Sequence, residues 1–303
     1  MKVYVNNPNE NWIVDRFRKE WIEFSLHRNV IHPIFSDIIW IIAPWTWKSI
    51  SSNQLRKKKV VCTIHHIDFD KFDKKESENF IERDKFVDVY HSISSNTTSQ
   101  VRELTDKKIV EIPFWVNENN FFSITDISHI KEKYNISDSE YLIGSFQRDT
   151  EGVDLISPKL SKGPDLFIKA AIEYKEKYKN LAVILTGKRR QYIINQLKNE
   201  NINFHYFPMV SLTELNELYN ILNLYIVSSR IEGGPQAIME CAANKTNIIS
   251  TDVGVASQIL HPDSIVQDNI FINAKPNLEY AFDKVKKFYI KDGIKDFERR
   301  LIK

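Results

Sequence analysis

Two glutamates, Glu232 and Glu240, bracket Gly233-Gly234-Pro235 in the segment 229–243, which reads Ser-Arg-Ile-Glu-Gly-Gly-Pro-Gln-Ala-Ile-Met-Glu-Cys-Ala-Ala. An apolar run, Leu224–Ser228, precedes it and reads as a buried strand. Proline in the first turn predicts a helix over Pro235–Ala243. A helix start exposes unpaired amides and carries roughly +0.5 elementary charge, which suits a phosphate. Two glycines let a ligand approach the backbone closely. A carboxylate just ahead of them can accept hydrogen bonds from sugar hydroxyls. Glu240, about a turn and a half into the helix, can accept a pair from vicinal hydroxyls such as those of a ribose. A surface loop and a capped helix with incidental glutamates is the plain alternative.

Two other groupings could do chemistry. The run after Lys59–Ile64 is His65-His66-Ile67-Asp68-Phe69-Asp70, whose side chains suggest a metal. Adjacent histidines on an extended chain point in opposite directions, however, so a bound metal is not expected. Trp40, Trp45 and Trp47 could stack on sugar rings. Core packing is the better account of Trp40, and the two readings are balanced for Trp45 and Trp47. Cys62 and Cys241 stand in unrelated apolar contexts, without the spacing of a disulfide framework or a zinc site.

Strand-like and helix-like segments alternate along the whole chain. Expected strands are Lys2–Val5, Asp37–Ile42, Lys59–Ile64, Val87–Ile93, Lys108–Ile112, Tyr141–Ser145, Leu181–Thr186, Phe204–Phe207, Leu224–Ser228, Thr246–Ser250 and Asn269–Ile272. Several are short continuous apolar runs rich in β-branched residues, as suits strands covered on both faces of a parallel sheet. Expected helices include Glu10–Arg28, with Trp12, Trp21 and Phe24 along it, and Ser95–Leu104. Pro164–Tyr178 carries an apolar face, and Ser211-Leu-Thr-Glu214 forms a capping box before the helix Thr213–Leu222. The stretch Leu278–Lys303 reads as helix interrupted at Asp292-Gly293. This alternation predicts two doubly wound α/β domains, 1–118 and 119–303, the last helix packing back on the first domain. Ligands in such folds bind at the carboxyl ends of the strands, and two facing domains would share a cleft.

Composition narrows the partners. The 303 residues carry 42 Lys+Arg against 40 Asp+Glu, a net charge of +2, which provides no general field for nucleic acid. The longest apolar run, Ile38–Pro44, falls far short of the ~20 residues of a membrane span. The N-terminus opens on a strand-like segment without a signal-peptide pattern. The expectation is a cytoplasmic protein, with peripheral membrane contact open to the basic runs Arg56–Lys59 and Arg299–Lys303.

The segment 229–243 resembles the signature of the retaining GT-B glycosyltransferases, in particular glycosyltransferase family 4 (group 1). Those enzymes have two glutamates separated by seven residues, in a context like Ser-Arg-x-Glu-Gly-x-Gly-x-x-x-x-Glu-Ala. Here Gly-Gly-Pro replaces Gly-Phe-Gly. The resemblance implies two Rossmann-like domains facing across a cleft, a nucleoside-diphosphate sugar (UDP or GDP) as co-substrate, and no cofactor or metal. It implies hexosyl transfer with retention to a glycan or lipid-linked acceptor, in glycan or glycolipid synthesis. Glu232 would hold the donor sugar with Gly233, Gly234 and Pro235, and Glu240 the ribose. Arg148 and Lys162 stand where the family grips the diphosphate, although the insert Asp149–Ser161 separates them more widely than usual. Met209 and Val210 would lie near the base, and core packing explains them equally well. His65 matches a histidine that reaches the donor sugar. Ile112–Asn117 with Phe121 resembles the domain-joining segment, with Phe114-Trp115 in place of Asn-Gly. The stretch Val5–Glu10 departs from the family, because it lacks the glycines of the usual loop after the first strand. The same scaffold could instead serve a sugar phosphorylase, a nucleotide-sugar epimerase, or a degenerate module that binds nucleotide or glycan as a partner subunit.

Overall fold

The computed structural model describes residues 1–10 and 13–303; Asn11 and the expected helix residue Trp12 lie outside the described residues. The chain divides into two compact units. Unit 1 comprises Met1–Trp115 and Phe288–Lys303, and unit 2 comprises Val116–Lys287. Both are α/β.

Unit 1 holds the strands β1 (Lys2–Val5), β2 (Arg28–Asn29), β3 (Ile38–Ile41), β4 (Lys59–Ile64), β5 (Val89–Ser92) and β6 (Lys108–Glu111). They form one sheet in the order β2-β1-β3-β4-β5-β6, every pairing parallel. The helices of its first segment are α1 (Ile13–Phe24), α2 (Ser52–Lys57), α3 (Lys74–Asp84) and α4 (Ser95–Arg102). Side chains of Ser51, Asp73 and Ser94 cap α2, α3 and α4 by accepting from backbone amides. Such caps satisfy donors that a helix start leaves unpaired. One core gathers Ile39, Ile41, Trp47, Leu55, Val60, Cys62, Phe80 and Tyr90. A second, aromatic cluster joins Phe17, Trp21, Trp40, Phe114, Trp115 and Phe297 through ring contacts of 4.0–6.4 Å.

Unit 2 holds β7 (Tyr141–Ser145), β8 (Leu181–Thr186), β9 (Asn203–Phe207), β10 (Leu224–Val227) and β11 (Ile248–Ser250). Their order is β11-β10-β7-β8-β9, again all parallel. Helices α5 (Ser128–Lys133), α6 (Pro164–Lys177), α7 (Gln191–Asn199), α8 (Leu212–Ile221), α9 (Gln236–Asn244), α10 (Ala256–Ile259) and α11 (Leu278–Val285) accompany it. β8 is buried at all six positions, which explains its unbroken apolar sequence Leu-Ala-Val-Ile-Leu-Thr. The capping box is present: Ser211 accepts from the Glu214 amide while Glu214 accepts from the Ser211 amide. The unit's core centres on Phe167, Val183, Leu185, Leu224 and Ile226.

Three expected elements are corrected. The helix expected over Glu10–Arg28 ends at Phe24, and Arg28 instead opens β2, paired with Lys2. Asn269–Ile272 is not a strand. Asp268 and Asn269 take positive φ (51° and 54°), the Ile270 amide turns back to the Gln267 carbonyl, and a 3-10 turn follows at Phe271–Asn273. Two successive left-handed residues cannot continue an extended strand. Nor is the last stretch broken at Asp292-Gly293. The helix α12 (Ile290–Phe297) runs through both residues, and the interruption falls between Val285 and Ile290. Gly293 serves packing, since a Cβ there would lie 2.6 Å from the Trp115 Cβ.

Candidate functional site

In unit 2 the chain order runs outward from β7 in both directions, to β8 and β9 on one side and to β10 and β11 on the other. That reversal makes a topological switch point, where the loops leaving neighbouring strands diverge and leave a crevice. The loops that part there follow β7 and β10, and they carry Arg148, Lys162 and Glu232.

The two loops are stitched together near their ends. The amides of Arg230 and Ile231 both donate to the Ser161 carbonyl, at 2.9 and 3.0 Å. The Arg230 guanidinium makes a paired contact with the Asp165 carboxylate, at 2.7 and 2.6 Å. The hydrogen bond from Arg230 holds the Asp165 carboxyl below its ordinary range. Gly163 caps α6 in the left-handed conformation, φ 58°, and a Cβ there would fall 1.8 Å from the Ser228 carbonyl oxygen. Only glycine meets both conditions.

This stitching brings the Lys162 ammonium and the Glu232 carboxylate into an ion pair, each side chain 13% exposed. The residues are 70 positions apart in sequence. The Lys162 carbonyl accepts from the Gln147 amide group at 2.9 Å, and the Gln147 side-chain oxygen accepts from Ser229 Oγ at 3.1 Å. Gln147 thus ties the start of the loop after β7 to Lys162 and to the loop after β10. Arg148, beside it, is exposed.

Glu232 leads into Gly233, Gly234 and Pro235, the last being the N-cap of α9, without a side-chain cap bond. From the other side, Gly254 (φ 56°) presses its backbone against Gly233, leaving no room for a Cβ. Glu240 lies within α9 and is only 4% exposed. It accepts a hydrogen bond of 2.8 Å from the Tyr219 hydroxyl. Burial, with the Glu240 charge second, raises the Tyr219 pKa well above its ordinary value, so the phenol keeps its proton and donates. Met209 is 68% exposed, and core packing does not account for it; Val210 is half-buried.

Beneath Arg148 lies a pair that motif reading misses. Arg190 and Asp149 are fully buried, with Nε 3.1 Å from Oδ2. Burial pushes the Asp149 carboxyl up to about 6, opposed by Arg190 and by the amides of Ile193 and Tyr192. Desolvation lowers Arg190, and the Asp149 charge opposes that. Nothing local marks Arg190 as buried, because in the sequence it ends a polar run, Gly187-Lys-Arg-Arg190. Tyr219 and Gln147 are missed because their partners Glu240, Lys162 and Ser229 lie 21, 15 and 82 positions away.

In unit 1, His65 follows β4 half-buried. Its Nε2 lies 2.9 Å from the Ile42 carbonyl, and its ring stacks near-parallel to Phe114 at 5.9 Å. Trp40 and Trp47 are buried, whereas Trp45 is 48% exposed, 5.7 Å from the His65 ring. Of the three tryptophans, only Trp45 keeps a face that a sugar could use. Among the described residues no three His, Cys, Asp or Glu side chains gather around a common point that could hold a metal ion. In the glycine-free loop after β1, Asn6 is fully buried. Its Oδ1 accepts from the Ile42 and Ala43 amides, at 2.8 and 3.2 Å, and its Nδ2 donates to Thr46 Oγ1 at 2.7 Å. This asparagine fastens the loop that carries Trp45.

Residues 155–303 match the family model of the group 1 glycosyl transferases. No curated protein matches. The fold is similar to that of several solved structures. Anabaena HepE, determined with UDP and glucose, is 11% identical, with TM-score 0.73 and 99% of each chain covered. Sucrose-phosphate synthase from Thermosynechococcus elongatus is 15% identical, with TM-score 0.68, 88% of this chain and 74% of that one. A glycosyltransferase from Rickettsia africae is 16% identical, with TM-score 0.65, 97% of this chain and 82% of that one. At such identities the likeness establishes the fold. The chain therefore has the GT-B fold of two Rossmann-like units, and its residues 155–303 match the model of the group 1 glycosyl transferases.

Proposed function

We propose that this protein transfers a sugar from a nucleoside diphosphate to an acceptor hydroxyl with retention of anomeric configuration. The observation that carries the reading is the Lys162–Glu232 ion pair, held at the switch point of unit 2 just ahead of the uncapped start of α9. A leaving nucleoside diphosphate gains negative charge as the glycosidic bond breaks. Lys162 and Arg148 are assigned to stabilise that charge, and such preorganised donors supply much of enzymatic rate enhancement. Glu232 accepts from the donor sugar hydroxyls and orients the Lys162 ammonium. Gly233, Gly234 and Pro235 bring the backbone up to the same ligand. Glu240 takes the ribose hydroxyls, with Tyr219 fixing its second oxygen. Met209 and Val210 flank the base. By family resemblance His65 holds a donor-sugar hydroxyl, and the acceptor is a glycan or a lipid-linked glycan.

No side chain is assigned as a covalent nucleophile. In this reading the acceptor attacks from the face the diphosphate leaves, through an oxocarbenium-like state, and the departing phosphate oxygen takes the acceptor proton. Support comes from the group 1 match and from HepE, whose structures hold UDP, UDP with glucose, and UDP-glucose. The test is thermal melting with UDP, GDP and ADP. A nucleotide at 100 times its dissociation constant adds about 2.7 kcal/mol. If none of the three stabilises the protein, the donor assignment fails. NMR of the product decides the stereochemistry, and an inverted anomer sinks the retaining mechanism. Transfer that EDTA abolishes would sink metal independence.

A further inference from the structure

We infer that Arg190 is a positioning residue, holding the turn after β7 so that Arg148 and Lys162 meet the diphosphate at fixed places; the inference rests on the donor reading above.

The geometry is a clamp on both sides of one exposed residue. Arg190 Nη1 donates to the Gln147 carbonyl and, at 3.5 Å, to the Thr186 carbonyl at the end of β8. Its Nε pairs with the Asp149 carboxylate at 3.1 Å. Residues 147 and 149 are thus gripped by one planar group, and Arg148 stands between them, exposed. The grip is reinforced by backbone bonds. The Asp149 amide donates to the Arg189 carbonyl at 3.0 Å, and the Lys159 amide to the Asp149 carbonyl at 2.8 Å. The clamp also reaches Lys162, because the side chain of the held Gln147 donates to the Lys162 carbonyl at 2.9 Å. One buried guanidinium therefore governs both cations assigned to the diphosphate.

A buried ion pair is a poor way to gain stability, since desolvation offsets most of its attraction. A planar fork with several fixed donors is a good way to set a turn's geometry. Retaining such a pair under a loop that must hold charged side chains in place fits a positioning role. Misplacing a reacting or binding group by about 1 Å can cost on the order of a hundredfold.

The test uses the full chain. Asp149→Asn/Arg190→Met removes both charges together and leaves no buried ion unpaired, so it is expected to fold, checked by its melting temperature. Affinities for UDP and for uridine are then measured, with and without Arg148→Ala. The inference expects UDP affinity to fall by about tenfold to a hundredfold, uridine affinity to stay at the wild-type value, and the loss to shrink on the Arg148→Ala background. Arg190→Lys, which keeps a charge but not the fork, is expected to lose UDP affinity as well. Wild-type UDP affinity in the folded double variant overturns the inference. Equal losses of UDP and uridine overturn it too, because they indicate general damage. Lys162→Ala separates this failure from that of the donor reading. If Lys162→Ala weakens UDP while the double variant does not, only the positioning role is lost. If neither weakens it, the donor reading falls as well.

Discussion

Lys162 and Glu232 meet because two loops at a switch point are sewn together, and each then restrains the other. Lys162→Ala is expected to lower kcat by about a hundredfold or more, the scale on which single preorganised donors act. Steady-state kinetics with excess donor would check it, and an unchanged kcat would remove Lys162 from the reaction. Glu240 calls for a gentler variant. Glu240→Ala would leave the buried Tyr219 hydroxyl unpaired, which costs about 1–3 kcal/mol by itself. Glu240→Gln keeps an acceptor for Tyr219 and is expected to weaken nucleotide binding by about tenfold at nearly unchanged melting temperature. A third residue-scale prediction concerns His91, which is fully buried. Trp40 Nε1 donates to Thr63 Oγ1, the Thr63 hydroxyl reaches His91 Nδ1, and His91 Nε2 reaches the Ile112 carbonyl. Because the Ile112 carbonyl can only accept, Nε2 carries the ring proton, and in the neutral imidazole Nδ1 accepts from the Thr63 hydroxyl. Burial pushes its pKa down to about 3. An unfolded histidine, by contrast, takes up a proton near pH 6.5. The unfolded state therefore binds more protons between these values, and stability falls as pH drops from 6.5 towards 3. Relative to His91→Gln, the wild type should lose about 2 kcal/mol between pH 6.5 and 5, read from urea melts. Equal pH slopes would refute the assignment.

At the scale of elements, the ends of β7 and β10 matter more than the helices between them. The left-handed Gly163 lets α6 start against the Ser228 carbonyl, which sets how closely the Lys162 loop approaches the Glu232 loop. Gly163→Ala adds a left-handed strain of about 1–2 kcal/mol and a backbone clash that no side-chain rotation relieves. It is expected to lower the melting temperature of unit 2 and to reduce nucleotide binding together. Wild-type binding in this variant would show that the loop spacing is not critical. Most strands were legible from apolar runs, and α8 from its capping box; β2, the polar pair Arg28–Asn29, was not, because only its pairing with β1 makes it a strand. The 3-10 turn at Phe271–Asn273 was not, because its apolar residues match a strand and the left-handed Asp268-Asn269 pair is set by tertiary context. Gly293 misled for the opposite reason. Glycine usually marks a break, but here it admits the Trp115 Cβ against α12.

At the scale of the molecule, unit 1 is made from two chain segments, 1–115 and 288–303. The second segment completes its aromatic cluster. Phe297 is fully buried, with ring centroids 5.6 Å from Trp40, 4.8 Å from His91, 5.5 Å from Phe114 and 5.0 Å from Trp115. Glu298 then accepts from Ser25 Oγ at 2.8 Å and from the Leu26 amide at 2.6 Å, anchoring the end of the chain beyond α1. Phe297→Ala is expected to destabilise unit 1 by about 3–5 kcal/mol. All six tryptophans fall within residues 1–115, so tryptophan emission follows unit 1 alone. A urea transition in that emission unmoved by Phe297→Ala would show that the C-terminal segment is dispensable.

The sequence by itself determined the alternation of strands and helices, hence two α/β units, because a strand buried on both faces must be apolar throughout and a helix start must be capped. It also contains the glutamate–glycine–glutamate segment on which the proposed donor site rests, legible because it spans nine consecutive residues. Tertiary structure alone decided which distant groups meet. Lys162 faces Glu232 across 70 positions, Tyr219 holds Glu240, and the buried Arg190 pairs with Asp149. Periodicity shows which residues leave water, but a polar side chain's burial depends on what the rest of the chain packs over it. For that reason Trp40 and Trp45, five residues apart in the sequence, end as a core ring and an exposed one.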